Sequence, residues 1–423
     1  MASLLIAKIK LILDLCFYAY FDRSNEQLKT SEVLLFCHDA NRGVYFRGKA
    51  YSPLIDSLRD ELELLGYNCQ SIANVGSQLV GDKAYGSPVS FNKKYLLAFL
   101  KEILLIEKNS RKDLFKEMLA TTKAKLIITI GSPIDLASAA REKGVFHVEI
   151  LHGIGYTKLD FGWETQKKET LPQGLLSCDK TSTKSFSPLF NNGKNIKTIP
   201  HPFLKRFIRK NIEKIPDEWK LDLDIRKQVR KRILVSLQWG YAGDHDEHIH
   251  YKDILQNGLF FSEIEQLVKK YQDVVWYFRF HPVQVSERRY RNLIKFMEDF
   301  VKKYTNCEWK QASRLPLPSI AMHCSGNITM SSMACYDVAA MGLKSLMLCP
   351  TVQVGNIHGN RYLDLVNDGY VTKAPRELAL IDEWVNSVEP VPPRLSNLED
   401  NTAWENALQW MIDQSGLKAK KHV

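Results

Sequence analysis

Short apolar runs alternate with longer segments of helical spacing along the whole chain. In the first half, residues 32–36, 125–130 and 145–151 form such runs, bounded by glycines or polar loops. A short apolar run between turn signals is typical of a strand buried on both faces of a parallel sheet. Residues 52–65, which open with Ser-Pro and end before glycine, and residues 134–143 have the pattern of connecting helices. The first half therefore predicts βαβ units.

The alternation starts again in the second half. We predict strands at residues 233–237, 274–278, 326–330, 345–348 and 370–372, and helices near 261–271, 285–303 and 332–341. A last helix ends at Gly416 and carries on one stripe Trp404, Ala407, Leu408, Met411 and Ile412. This order predicts an α/β fold with two Rossmann-like lobes in series, each with a mostly parallel sheet, and a closing C-terminal helix.

Shifts in composition mark the predicted domain boundaries. Residues 1–30 form an amphipathic N-terminal segment, 31–207 the N-terminal lobe, 208–231 a basic linker, 232–395 the C-terminal lobe, and 396–423 the closing helix with a basic tail. Residues 1–21 are apolar but contain lysines, so they suit either a helix at an anionic membrane surface or an ordinary packed helix. Their pattern fits neither a signal peptide nor a membrane-spanning helix.

Charge and cysteine content narrow the class of protein. The chain has 58 Lys and Arg against 48 Asp and Glu, a formal net charge of +10, which favours anionic partners such as nucleotide phosphates, acidic polysaccharide, anionic lipid or nucleic acid. No helix-turn-helix, RNA-recognition or zinc-finger pattern accompanies the charge, which disfavours nucleic acid. Eight scattered cysteines without a C-x-x-C pair predict free thiols in a reducing cytosol.

Three loops that follow predicted strands carry candidate chemistry, because ligands of open α/β sheets bind at the carboxyl ends of the strands. The sequence contains no phosphate-loop, dinucleotide, nucleophile-elbow or zincin motif. In the first loop His152 is followed by Gly153 and Gly155, whose freedom allows a ligand to approach the backbone. The imidazole can accept a proton near neutral pH, or it can be a core histidine satisfied by a backbone group.

The other two loops are candidates for phosphate binding. Arg279 and His281 end a predicted strand, and the following proline fixes the backbone so that the imidazole faces the sheet edge. Ser331 and Ser332 open a predicted helix, where hydroxyls and free N–H groups suit an anion, although either serine could be only an N-cap. Asp337 lies about one and a half turns into this helix and could reach a ribose or face solvent.

A glycine-rich stretch in the C-terminal lobe precedes a run of histidines and acidic residues at 244–250. We interpret Gly240 and Gly243 as part of a loop over the phosphates of a bound donor. A metal site is the weaker interpretation of residues 244–250, because its ligands are adjacent and lack helical order. We predict no metal and no other cofactor.

These features together resemble the GT-B glycosyltransferases of bacterial surface polysaccharides. The shared features are two α/β lobes, a closing C-terminal helix, H-G-x-G at 152–155, R-x-H-P at 279–282 and S-S at 331–332. The likeness is greatest to capsule and teichoic-acid enzymes with CMP- or CDP-activated donors: polysialyl- and Kdo-transferases and glycerophosphotransferases. Where those sialyltransferases carry an acidic pair before glycine, this chain has Leu151 and His152, which look more like the His-Gly of the glycerophosphotransferases.

The resemblance implies an inverting, metal-independent glycosyltransferase of capsule, lipopolysaccharide or teichoic-acid assembly. It implies that a glycan or glycolipid acceptor binds the N-terminal lobe and that a CMP-, CDP- or UDP-linked sugar donor binds the C-terminal lobe. His152 is then the expected base, and Asp39, in the loop after the first strand, is the alternative. The acceptor side is expected to be formed by Gly153, Gly155, Asn41 and Arg42.

Two other functions stay open. A sugar-nucleotide epimerase of the same fold would need acidic groups placed in the first lobe, and the sequence shows no compact acid cluster there. A non-catalytic scaffold of a polysaccharide assembly complex would have no need of His152 and His281. We expect a cytoplasmic protein, with peripheral attachment to an anionic membrane surface as an open alternative and without a nucleic-acid partner.

Overall fold

The computed structural model describes residues 12–19, 27–156, 158–159, 162–207, 215–223, 229–237, 255–286, 288–394 and 401–420. Contacts between Cα atoms divide the chain into two compact units. Unit 1 comprises Met1–Phe203 together with Asn397–Val423, and unit 2 comprises Leu204–Ser396. The C-terminal helix therefore belongs to the same unit as the N-terminal lobe.

Fourteen strands are present among the described residues. In unit 1 they are β1 Val33–Cys37, β2 Val44–Phe46, β3 Lys49–Tyr51, β4 Cys69–Ala73, β5 Leu126–Ile130, β6 Phe146–Ile150, β7 Gly174–Ser177 and β8 Ile196–Thr198. In unit 2 they are β9 Lys231–Ser236, β10 Val274–Arg279, β11 Cys307–Glu308, β12 Gly326–Thr329, β13 Lys344–Met347 and β14 Val371–Lys373.

Helices connect most of these strands. Unit 1 contains α1 Ile55–Leu64, α2 Asn92–Ile103, α3 Ser110–Thr122, α4 Ile134–Glu142 and α5 Lys180–Phe186. Unit 2 contains α6 Ser262–Lys270, α7 Pro282–Ser286, α8 Arg291–Lys303, α9 Lys310–Arg314, α10 Leu317–Ala321, α11 Ala334–Ala340, α12 Leu363–Asn367 and α13 Leu378–Ser387. The closing helix of unit 1 is α14 Asn401–Ser415.

The sheet of unit 1 has the order β4-β1-β5-β6-β7-β8, and all neighbouring strands are parallel. The central strands β1, β5 and β6 are buried along their whole length, as their apolar sequences require. The register pairs Cys37 with Ile130 and Thr129 with Glu149, so the carboxyl ends of β1, β5 and β6 meet at one edge. Any loop after these strands therefore opens onto the same side of unit 1.

The closing helix packs on unit 1 through an aromatic contact. The Trp410 ring of α14 meets the Phe146 ring of β6 edge-on, with centroids 5.3 Å apart. A Cβ atom at Gly174 in β7 would lie only 2.5 Å from the Trp410 side chain, so glycine is needed there for the helix to approach the sheet. Met411 of the same helix is fully buried.

The sheet of unit 2 has the order β11-β10-β9-β12-β13-β14 and is also parallel throughout. Three buried polar side chains join its central strands: Ser236 Oγ donates to Asn327 Oδ1 at 2.7 Å, and Asn327 Nδ2 donates to Ser345 Oγ at 3.0 Å. Satisfied buried polar groups fix the register of neighbouring strands, because a slipped pairing would leave them without partners. The α/β fold with two parallel sheets confirms the fold class predicted from the alternation.

Several predicted elements differ from the observed ones. The predicted helix 285–303 is three pieces, α7, the 3₁₀ turn Arg288–Tyr290, and α8. The predicted basic linker ends inside β9: Lys231 is only 8% exposed, and its ammonium donates to the carbonyls of Asn386 and Val388 at 2.7 Å each. Residues 208–214 and 224–228 of that linker lie outside the described residues.

Part of the predicted amphipathic N-terminal segment is described. Residues 12–19 are helical, with Leu15 and Ala19 buried and Leu13 and Phe17 at least half exposed. Residues 1–11 and 20–26 lie outside the described residues. Among the residues that the structure describes, no helix is long and apolar enough to cross a bilayer.

Candidate functional site

A cavity of about 370 Å³ opens at the carboxyl edge of the unit 1 sheet. It lies where β5 and β6 end, the position at which open parallel sheets bind ligands. Its floor is formed by the end of β6, and its walls by the loops that follow β5 and precede β7. The lining residues are Gly131, Ser132, Ile134, Glu149, Ile150, Leu151, His152, Trp163, Gln166, Thr170, Leu171 and Pro172.

The predicted His-Gly loop is fastened by polar groups that follow β7. Gly155 has a φ of +81°, a conformation natural to glycine, and its N–H donates to Asp179 Oδ2 at 3.1 Å. Asp179 is also the N-cap of α5, accepting from Ser182 N at 2.8 Å and from Ser182 Oγ at 2.6 Å. Ser182 Oγ in turn accepts from Tyr156 N at 3.0 Å. The loop is therefore held in one shape before any ligand binds.

His152 is exposed at the rim of the cavity, where a ligand can reach it. The Tyr156 hydroxyl lies 3.0 Å from its Nε2 atom, and the two rings meet edge-on at 5.8 Å. A Cβ atom at Gly153 would lie 3.1 Å from that hydroxyl, so a side chain there would crowd the pair. His152, Gly153 and Gly155 thus occupy one ordered loop, and its role in binding a ligand stays a prediction.

Glu149 in β6 is a functional candidate that the sequence did not reveal. It lines the cavity together with His152, yet it is only 5% exposed. Its Oε1 atom accepts from Gly131 N at 2.6 Å, and its Oε2 atom accepts from the Thr129 hydroxyl. Burial raises the pKa of Glu149 to about 7, although these hydrogen bonds act in the opposite direction. The signal in the sequence was a lone glutamate within the apolar run 145–151.

A buried hydrogen-bond chain runs behind this carboxyl group. Thr129 Oγ1 lies 2.9 Å from His147 Nε2, and His147 is completely buried. Desolvation lowers the pKa of His147 to about 3, so the ring is neutral and can donate from Nε2 to the threonine oxygen. The threonine hydroxyl then donates to Glu149. Thr129, positioned by His147, thus helps to fix the orientation of the Glu149 carboxyl group at the cavity.

The residues after β1 that were predicted to bind the sugar acceptor, or to serve as the alternative base, form hydrogen bonds to other residues of unit 1. Asp39, the alternative base, accepts with Oδ2 from the backbone N–H groups of Gln78 and Leu79 at 2.6 and 3.3 Å. Arg42 is 4% exposed, and its Nη1 donates to Asp56 Oδ2 at 2.6 Å. Both side chains of this Arg42–Asp56 ion pair are buried, so the guanidinium points into the fold and not toward a sugar acceptor. None of these residues lines the cavity that contains His152.

Asn41 has a similarly local role. It ends the 3₁₀ turn Asp39–Asn41, and its N–H donates to the carbonyl of His38 at 3.0 Å. Its side chain is partly exposed. Asn41 therefore lies at the same sheet edge as the cavity, in a loop whose shape is set by its own backbone.

In unit 2 the structure brings three of the predicted phosphate-binding residues together. Arg279 is close enough to His281 and to Asp337 for its charge to act on both. Burial lowers the pKa of His281 to about 4, and the Arg279 charge adds to that effect. Burial raises the pKa of Asp337 to about 6 against the opposing effect of Arg279. The edge of this sheet therefore holds a neutral imidazole near a partly buried guanidinium.

Backbone contacts fix two members of this group. Arg279 Nη1 donates to the carbonyl of Leu315 at 2.7 Å and to that of Ala312. His281 N donates to Gln284 Oε1 at 3.0 Å, and Gln284 is almost fully buried. The proline predicted to end the strand instead opens the short helix α7 directly after His281. Arg279 is thus held through part of its guanidinium, and His281 through its backbone.

The serine pair does not begin the helix as predicted, since α11 starts at Ala334. Ser332 Oγ accepts from Ala334 N at 3.2 Å, which is a capping contact of the turn before the helix. Ser331 is buried, and its carbonyl accepts from the Tyr362 hydroxyl at 2.5 Å. The pair therefore shapes the loop after β12, at the same edge as His281.

The predicted glycine-rich loop and the histidine-rich cluster after it are not part of the described structure. Gly240, Gly243 and the cluster at 244–250 lie outside the described residues. Within the residues that the structure does describe, no group of three His, Cys, Asp or Glu side chains is arranged to hold a metal ion.

No protein-family model and no curated protein matches the sequence. Solved structures match the fold. The match to the S. aureus MnaA-UDP co-structure has 12% sequence identity and a TM-score of 0.54, and it covers 93% of this chain and 99% of that chain. The match to the wall teichoic acid polymerase TagF has 13% identity and a TM-score of 0.55, and it covers 99% of this chain and 92% of that chain. The match to a UDP-GlcNAc 2-epimerase from Methanocaldococcus jannaschii has 10% identity and a TM-score of 0.52, and it covers 89% of this chain and 99% of that chain. These similarities establish a fold of the GT-B type.

Proposed function

We propose that the protein is an inverting, metal-independent glycosyltransferase that moves a sugar from a CMP-, CDP- or UDP-linked donor to a growing bacterial surface glycan. One observation carries the proposal: the carboxyl edge of each sheet holds a preorganised titratable group, His152 in unit 1 and His281 beside Arg279 in unit 2. A transferase needs a base for the acceptor and positive groups for the leaving phosphate. We assign the first role to unit 1 and the second to unit 2.

In the proposed reaction His152 removes the proton from an acceptor hydroxyl while the acceptor oxygen attacks the anomeric carbon. The bond between that carbon and the donor phosphate breaks, and the nucleotide leaves with the bonding electrons. His281 and Arg279, with the hydroxyls of Ser331 and Ser332, stabilise the negative charge that develops on the phosphate. A single displacement of this kind inverts the anomeric configuration. Gly240, Gly243 and Asp337 are assigned to the nucleotide on the same side.

The His152 loop supports the acceptor role because it is shaped before binding. Tyr156 contacts the imidazole, and Asp179 holds the backbone of the turn, so little ordering is needed when an acceptor arrives. We place the reaction in the cytoplasm, where the nucleotide-linked donor would be available, and we expect a glycan or glycolipid as the acceptor.

A sugar-nucleotide epimerase is the second candidate, and Glu149 is the observation that favours it. An epimerase must take a proton from the sugar ring, and Glu149 is a cavity-lining carboxyl group with a pKa of about 7. Epimerases are also among the proteins that share the fold. The transferase remains our first proposal because the His-Gly loop supplies a second proton acceptor at the rim.

Product analysis distinguishes the candidates. Purified protein is incubated with CMP-, CDP- and UDP-linked sugars, with and without a glycan acceptor, and free nucleotide and the intact donor are both measured. A transferase releases acceptor-dependent nucleotide, whereas an epimerase returns the donor with an altered sugar. A scaffold leaves every donor unchanged. Thermal shifts with CMP, CDP, UMP and UDP then identify the nucleotide, because a ligand at about 100 times its Kd stabilises the fold by about 2.7 kcal/mol.

A further inference from the structure

The turn between α2 and α3 of unit 1 exposes an unusual run of aliphatic side chains. Leu104, Leu105 and Ile106 are consecutive, and they are 66%, 83% and 65% exposed. Leu97, two helical turns before Leu104 on the outer side of α2, is 59% exposed. Isolated exposed leucines are ordinary, but adjacent ones on one surface mark an interaction site.

The turn is ordered by its own hydrogen bonds. The N–H groups of Leu105 and Ile106 donate to the carbonyls of Glu102 and Lys101 at 3.2 and 2.9 Å, and Arg111 Nε donates to Glu102 Oε2 at 2.7 Å. Leu105 has a φ of +57°, a region that is unfavourable for a leucine. The backbone is thus held in a strained shape that directs a leucine into solvent.

Two exposed lysines flank these side chains. Residues 93–112 contain six basic and two acidic residues, and four of the basic ones pair with carboxylates: Lys94, Lys101, Arg111 and Lys112. Lys93 lies one turn before Leu97 on the same outer side of α2. Lys108 follows Glu107, whose carboxylate pairs with Lys101; both Lys93 and Lys108 are exposed. The ion pairs of this region, among the residues that the structure describes, include neither Lys93 nor Lys108. We call the four aliphatic residues with Lys93 and Lys108 the Leu–Lys face.

We propose that the Leu–Lys face is a contact surface for an anionic lipid bilayer. Aliphatic side chains at the tip of an ordered turn can enter the acyl boundary, while lysines beside them reach phosphate headgroups. The unpaired positive charge matches the negative potential of such a surface, and a bilayer needs no pocket to receive three adjacent aliphatic side chains. The proposal does not depend on the chemistry assigned to the cavity, and it concerns residues other than the amphipathic segment 1–21.

The test uses the full chain and sedimented vesicles, made either of equal parts phosphatidylglycerol and phosphatidylcholine or of phosphatidylcholine alone. We expect the wild-type protein to bind only the anionic vesicles and to be released by salt. The Leu105→Ser variant should bind about tenfold more weakly, because a leucine side chain is lost from the acyl boundary. The L104S/L105S/I106S variant should remain in the supernatant.

Leu64 provides a matched control, since it is 81% exposed near the end of α1 but lies beside Glu61 and Glu63. Leu64→Ser should bind vesicles as the wild type does, and all variants should keep the wild-type melting temperature because the substituted side chains are exposed. Triple-variant binding equal to that of the wild type would overturn the proposal and assign attachment to another segment. A wild-type dimer that the triple variant loses in size-exclusion chromatography would overturn it in favour of a second copy of this chain.

Discussion

The carboxyl edges of the two sheets share an architecture but differ in charge. In unit 1 a buried acid and an exposed histidine line one cavity, and in unit 2 a desolvated histidine lies near a partly buried arginine. The same physical cause, removal from water, raises the pKa of Glu149 to about 7 and lowers that of His281 to about 4. Desolvation favours the neutral form of either group. The pKa of an acid such as Glu149 therefore rises, whereas the pKa of a base such as His281 falls.

This contrast gives each edge a different capacity near neutral pH. The carboxyl group of unit 1 is close to its midpoint, and with His152 it can exchange protons with a ligand. The unit 2 edge keeps the charge of Arg279 and a neutral imidazole, which can donate a hydrogen bond to phosphate. We therefore propose proton transfer in unit 1 and anion stabilisation in unit 2, and separate variants can test each proposal.

The largest expected effect is on turnover in the His152→Ala variant. If His152 takes the acceptor proton, its loss should lower kcat at least a hundredfold. Nucleotide affinity should not change, because we assign the nucleotide to unit 2. In the wild type the transfer rate should fall in acid, since a protonated imidazole has no lone pair to accept the acceptor's proton.

Variants that replace acidic residues by their amides provide a second test of the same assignment. Asp39→Asn and Glu164→Gln should keep most of the activity, because Asp39 is held by backbone amides and Glu164 is exposed outside the His152 turn. Near-normal turnover in His152→Ala together with an inactive Asp39→Asn, Glu164→Gln or Glu149→Gln variant would show that a carboxylate is the base.

The second prediction removes the imidazole of unit 2. The His281→Ala variant should lose about 3 kcal/mol of transition-state stabilisation, which lowers turnover roughly a hundredfold. It should also bind the nucleotide more weakly. The melting temperature should stay within a few degrees of wild type, because the contact with Gln284 uses the His281 backbone. A stable variant with full activity would refute the assignment, and a large loss of stability would make the residue structural.

Much of the fold could be predicted because its central strands are continuous apolar runs. β5 and β6 were predicted to within one residue at each end. The helices α2 and α3 were not predicted, because α3 is bounded by Asn109 and Lys123 in left-handed conformations, with no glycine or proline to mark its ends. The strands β7 and β8 have four and three residues, too few to show a period.

The candidate site was less predictable, because its energetics depend on contacts between distant residues. Glu149 gains its role from Thr129 and Gly131, about twenty positions earlier, which only the pairing of β5 with β6 brings near. Arg42 has the sequence context of a loop residue, yet Asp56 draws it into the interior. A local pattern shows which residue types are present, whereas pKa shifts and buried pairs follow from the tertiary packing.

The third prediction concerns stability and uses Glu149→Gln. Between pH 4.5 and 7 the native protein keeps a proton on Glu149 that the unfolded chain releases, so this group stabilises the fold at low pH and loses that contribution as the pH rises. Glutamine has no such proton. As the pH rises from 4.5 to 8, the free energy of unfolding of the variant should increase by about 3 kcal/mol relative to that of the wild type.

Urea unfolding of both proteins at a series of pH values measures this difference. His147, whose depressed pKa makes the fold less stable as the pH falls from about 6.5 toward 3, is present in both and cancels. A difference that stays constant with pH would mean that Glu149 is already ionised at low pH, and the contrast between the two edges would be lost.

The smallest expected effect is a change in the pKa of one histidine, and it tests whether the unit 2 edge receives phosphate. A bound nucleotide phosphate is an anion near His281, so it should raise the pKa of that ring from about 4 by one to two units. His147 is the matched reference, because it is also desolvated, with a pKa of about 3, but lies buried in unit 1. NMR titration of the imidazole resonances with and without CMP or UDP should move His281 and leave His147 unchanged. The linked consequence is a few-fold tighter nucleotide binding at pH 5 than at pH 7, since protonated His281 then pairs with the phosphate. If neither histidine responds to a nucleotide that demonstrably binds, the phosphate lies elsewhere and the anion-stabilising role of the unit 2 edge is wrong.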